Sequence, residues 1–104
     1  MSLKYKQRGE NPKYPEEIEV WRKGDSVPGW LSDRAKVKFL DGEGNITLER
    51  RNLADGGYEI LDSSGLSVLA RTTGQGDYIC WGEDKIFVLT PRQLEILYRI
   101  ISHL

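Results

Sequence analysis

The chain has 104 residues, 38% of them hydrophobic and 30% charged, with a formal net charge of −1. That length supports one domain with a real core, and the composition is that of an ordinary globular protein, not a disordered or membrane-spanning one. One cysteine, Cys80, and one histidine, His103, leave no material for a disulfide, a thiolate zinc site, an imidazole dyad or a multi-histidine centre, so no cofactor and no metal are expected.

The charge is unevenly spread. Residues 1–15 carry Lys4, Lys6, Arg8 and Lys13 against Glu10, while the rest of the chain holds 11 basic and 15 acidic residues. A body of that sign is a poor partner for nucleic acid. The lead-in is the exception, with its four cations placed to meet phosphates and Tyr5 or Tyr14 to stack on bases. The stretch MSLKYKQRG has no apolar core of the secretory kind, which sets a cytoplasmic expectation. The organisation expected is an extended basic arm over 1–15 followed by a single domain over 16–104.

Gly9, Pro12 and Pro15 make residues 4–15 read as extended. EEIEVWRK (16–23) alternates, with Ile18 and Val20 on one face, and predicts a first strand. Ser26 or Asp25 as a cap and Pro28 in the first turn predict a short helix through Arg34. KVKFL (36–40) and ITLER (46–50) predict a hairpin across the glycine-containing turn 41–45. GYEIL (57–61) and LSVLAR (66–71) predict a second hairpin, and DYICW (77–81) and KIFVL (85–89) a third. In that last pair Tyr78, Cys80, Phe87 and Leu89 oppose Ile79, Trp81, Ile86 and Val88, so both faces are apolar and both need a cover. Thr90, Pro91 and Gln93 spell a capping box, and Leu94, Leu97, Tyr98, Ile101 and Leu104 line one stripe of a C-terminal helix that Ile96 and Ile100 widen. One helix covers one sheet face. The other calls for a second sheet layer, the short helix near Trp30 or a partner, and a homodimer or a self-closing barrel follows as the expectation.

Residues 76–98 resemble a group of uncharacterised small proteins encoded by tailed bacteriophages and prophages. The likeness rests on Gly76, Asp77, Tyr78, Ile79, Gly82, Phe87, Pro91, Leu94 and Tyr98, and more loosely on IEVWRKGDSVPGWL (18–31). The chain departs from that pattern at Gln75, where proline is usual, in a shorter turn with one glycine, and at Leu94, where an aromatic is typical. The resemblance implies a bacterial host cell as the setting and carries no active site.

Little in the chain asks for catalysis. Cys80 lies in an apolar run and reads as a small buried hydrophobe, and His103 as a favourable charge at a helix end. Asp77 reads as a turn cap and Glu83 and Asp84 as solvated turn carboxylates, the alternative being a hydrolase that uses Asp77 and Glu83. Arg50 and Arg51 end a strand with one on each face and read as a solvated pair, the alternative being that one of them meets an acid or a partner. GQGDYI and GEGNIT lead into strands, the wrong context for a phosphate loop. Trp21 and Trp30 flank the GDSVPG connection, as core or as an exposed recognition pair. The fold expected is α+β: a curved antiparallel sheet of about five to seven strands, a short helix after the first strand and a C-terminal helix packed on the sheet. The function expected is non-enzymatic protein binding, with Trp21, Trp30, Trp81, Leu94, Leu97, Ile101 and Leu104 as the candidate interface. Nucleic-acid binding through residues 1–15 is the alternative.

Overall fold

The structure, a computed structural model, describes residues 3–39 and 46–103. In chain order it forms β1 (Leu3–Gln7), β2 (Glu17–Trp21), α1 (Gly29–Ser32), β3 (Val37–Phe39), β4 (Ile46–Leu48), β5 (Arg50–Asn52), β6 (Tyr58–Leu61), β7 (Val68–Arg71), β8 (Tyr78–Gly82), β9 (Lys85–Leu89), α2 (Pro91–Leu97) and β10 (Tyr98–His103). The class is α+β with antiparallel strands throughout. The strands make three open sheets, ordered β10-β1-β2-β8-β9, β3-β4 and β5-β6-β7, and do not close into a barrel. The two small sheets are stitched together by the Ala35–Asp62 bridge and by Lys36 N–H donating to the Leu61 carbonyl.

The alternation in the third hairpin decides the layering. Ile79, Ile86 and Val88 of the large sheet meet Leu31 and Ala35 from the α1 region, Leu48 of β4, Tyr58 and Ile60 of β6, and Ala70 of β7. Cys80, Leu89 and Phe87 face the other way, against Tyr5, Ile18, Val20, Leu94 and Tyr98. The hairpin is therefore covered on both faces from within the chain: by the small sheets and α1 on one side, by α2 on the other. Ile79, Leu31 and Ile60 are wholly buried, which puts the first core at the join of the two sheet layers.

The large sheet has five strands, within the expected five to seven; further strands form the two small sheets, and Glu49 breaks the predicted 46–50 strand in two. Two expectations about the first and last segments are corrected. Residues 3–7 are not a free arm: β1 lies inside the large sheet, between β10 and β2. The C-terminal helix stops at Leu97, because Tyr98 adopts an extended backbone (φ −133°, ψ 160°) and the β-branched pair Ile100–Ile101 continues as a strand along β1. Ile101 and His103 thus belong to a strand, while Leu104 and the predicted 41–45 turn lie outside the described residues. The start of α2 is as expected, with Thr90 accepting from Gln93 N–H and the Gln93 side chain accepting from Thr90 N–H. Helix α1 starts later than the predicted caps imply and ends at Ser32, short of Arg34: Pro28 is its cap, and neither Ser26 nor Asp25 supplies a capping side chain.

Candidate functional site

The basic lead-in does not assemble into an open cationic-aromatic patch. Tyr5 is buried under α2, out of reach of any base, and Tyr14 packs on Phe87 with ring centroids 6.1 Å apart. Lys4 and Lys6 point to the opposite face of β1 from Tyr5 and sit across from Glu19 and Glu17 of β2. Lys13 is exposed, with its ammonium 5.7 Å from the Tyr14 ring centre. Arg8 serves the fold. Its backbone N–H donates to the Leu97 carbonyl, and its Nε donates to the carbonyls of Glu95 (2.8 Å) and Tyr98 (2.9 Å). Those are the orphan acceptors at the end of α2, so a guanidinium some 90 residues away in sequence caps the helix. No local pattern announces such a contact.

The tryptophans divide. Trp21 is buried in the first core and donates from Nε1 to the Asp25 carbonyl. Trp30 and Trp81, both half-buried, stack at 6.0 Å and 9°, with the Arg34 guanidinium 4.1 Å from the Trp81 ring centre and Glu19 accepting from Trp30 Nε1 at 2.7 Å. Their faces are occupied by one another. Cys80 is wholly buried, and desolvation pushes its thiol up to about 12, far from a nucleophile's range. Burial likewise raises Tyr98 to about 12, and its hydroxyl donates to the Pro15 carbonyl at 2.6 Å. Asp77 and Glu83 stand at opposite ends of β8, about 20 Å apart along the strand, and do not converge. Arg51 meets Glu59 (Nε to Oε1, 2.9 Å), with Arg71 on the second oxygen at 3.9 Å, whereas Arg50 lies over the Tyr58 ring. Among the described residues no three His, Cys, Asp or Glu side chains come together, and no helix is long and apolar enough to cross a membrane.

One corner of the large sheet is open. Strand β10 is one of the sheet's two edges, with one row of backbone groups unpaired among the described residues. Leu94 packs into the second core and Leu97 leans on it, but Ile96, Ile100 and Ile101 stay 58%, 51% and 39% exposed. Ile96 and Ile100 border two shallow grooves that share Arg8 and Glu95 as walls. An unpaired edge flanked by three exposed isoleucines is a template for another strand. The helical stripe read from the sequence names Leu94, Leu97 and Ile101 for this role and leaves the two most outward residues, Ile96 and Ile100, on its flank.

No family model, curated protein or solved structure matches the chain.

Proposed function

We propose that this chain is a non-enzymatic protein-binding module that engages its partner through the free edge of β10, with a second copy of itself as the first candidate. The observation that carries the reading is the coincidence of an unpaired edge strand with Ile96, Ile100 and Ile101 exposed beside it. Antiparallel pairing of two β10 strands about a two-fold axis would satisfy both edges and extend the sheet across the dimer. The sequence suggests self-association on other grounds, a helix running to Leu104 and a bare sheet face; both fall away with the fold, and the edge replaces them. The resemblance at residues 76–98 supports reading the module as an accessory protein of a phage or prophage, working in the cytoplasm of a bacterial host.

Sedimentation equilibrium tests this directly. The native chain is expected to dimerise, and Ile100→Lys, which places a charge at the edge without touching either core, is expected to shift it to monomer. A native chain that stays monomeric to about 1 mM, where even a weak association of some 4 kcal/mol would show, overturns self-pairing.

A further inference from the structure

A second feature, independent of the β10 edge, lies where the connections after β2, before β6 and between β7 and β8 meet. They enclose a cleft of about 270 Å³ lined by Arg22, Lys23, Tyr58, Thr72, Asp77 and the glycine-rich turns that flank them. Its floor is rigid for a steric reason. A Cβ on Gly57 would stand 2.1 Å from the Thr72 carbonyl oxygen, and one on Gly74 would stand 2.1 Å from that of Asp55. The two turns therefore press backbone on backbone, and only glycine fits at those points. Thr72 closes the join, its Oγ1 accepting from Tyr58 N–H at 3.1 Å.

Two polar atoms of the residues lining this cleft have no partner among the described residues. Asp77 is 6% exposed; its Oδ2 accepts from Thr73 N–H at 2.8 Å, but its Oδ1 is buried and unpaired. Tyr58 is 7% exposed, and its hydroxyl is likewise buried and unpaired. A buried polar atom left without a hydrogen bond costs free energy, so two such atoms in one cleft mark a place where something else is meant to bond. One is an acceptor seeking a donor. The other is a phenol held in its neutral, donating form, since burial raises its ionisation above the ordinary value and Asp77 adds to that while Arg50 opposes it.

The rim carries the opposite charge to Asp77. The Lys23 ammonium lies 5.7 Å from the Tyr58 ring centre, and Arg22 leans on Tyr78 at 5.3 Å; the Arg50 guanidinium, outside the lining of the cleft, lies 5.6 Å from the Tyr58 ring centre. None of the three forms an ion pair with a carboxylate among the described residues. Lys23 is exposed, long and flexible, and is the lining group able to swing off the Tyr58 ring to admit a ligand.

We propose that this cleft binds a small organic anion that carries a hydrogen-bond donor, an ammonium or hydroxyl, close to its charged end. The donor meets Asp77 Oδ1, the Tyr58 hydroxyl donates to an oxygen of the ligand, and the anionic end meets Lys23 and Arg22. An anion without the donor leaves Asp77 unpaired and repels it, and a cation without the anion is repelled by the rim.

Isothermal titration with four probes tests the assignment: O-phosphoethanolamine and glycerol 3-phosphate, which have both groups, and inorganic phosphate and ethanolamine, which have one each. Saturable binding of at least one two-group probe, about tenfold or more tighter than phosphate, is expected. Asp77→Asn keeps the acceptor for Thr73 N–H, and Lys23→Ala alters only an exposed side chain, so both variants should fold. Each is expected to weaken the two-group probe by about tenfold, and Tyr58→Phe to weaken it less. Which of the two probes binds tells an ammonium donor from a hydroxyl donor. Binding of phosphate as tight as the two-group probes would reduce the cleft to a cationic patch and overturn the proposal. So would the absence of saturable binding by either, or binding that Lys23→Ala and Asp77→Asn leave unchanged.

Discussion

Glu83 and Asp84 both occupy the left-handed backbone region, at φ 50° and 60°, as the two central residues of the β8–β9 turn. A two-residue hairpin with the right twist demands positive φ at both positions, and a side chain there is strained unless the residue is Gly, Asn or, less comfortably, Asp. Neither residue packs on anything that would repay the strain: both are exposed. Asp84→Gly is therefore expected to stabilise the fold by about 0.5–1 kcal/mol, the relief of strain exceeding the added chain entropy of glycine. Urea denaturation measures it, as a higher midpoint at an unchanged slope. The GED turn is plain in the sequence. That its two carboxylates stand in the left-handed region is not, because only the pairing of Gly82 with Lys85 shortens the loop to two residues.

Helix α2 shows both how far local chemistry reaches and where it stops. The capping box at Thr90 and Gln93 needs only four adjacent residues, and both of its bonds form. Thr90→Ala removes the acceptor for Gln93 N–H and is expected to cost about 1 kcal/mol, read from the same denaturation curves. Thr90→Asn, which restores an acceptor, should recover most of the loss. The helix's end obeys a different rule. Leu94, Leu97, Tyr98 and Ile101 keep a helical spacing in sequence, yet the chain leaves the helix after Leu97. Strand β1 offers residues 98–103 a ladder of backbone bonds, and Arg8 closes the last helical carbonyls from outside. A seven-residue helix gains little from propagating further, so a partner strand decides the boundary. The same swap moves Ile100 from a helix flank to an exposed sheet edge, and of the three exposed isoleucines the sequence names only Ile101 for the contact surface.

At the scale of the molecule, two cores share one sheet. Ile79 and Cys80 are neighbours in sequence, both wholly buried, and belong to different cores. Strand β1 is the weak link in this arrangement, being the only strand paired with β10 among the described residues. Removing residues 1–8 is expected to release β10, uncap α2 and expose Ile18, Val20 and Tyr98, so the truncated chain should lose cooperative thermal unfolding followed by circular dichroism. A truncated chain that unfolds with the native midpoint would show that β1 is dispensable.

The sequence by itself determined the period-two strands, the turns between them, the capping box and the need for two covers on the third hairpin, because each depends on residues close to one another along the chain. It also determined which chemistries lack their residues. The tertiary structure alone decided what the covers are, that the basic lead-in is an inner strand, that Arg8 caps a helix, and that Tyr58 and Asp77 meet in one cleft. Those outcomes turn on backbone bonds and burial between segments up to 90 residues apart, where an inner strand and an exposed arm look the same until a strand edge is found beside them.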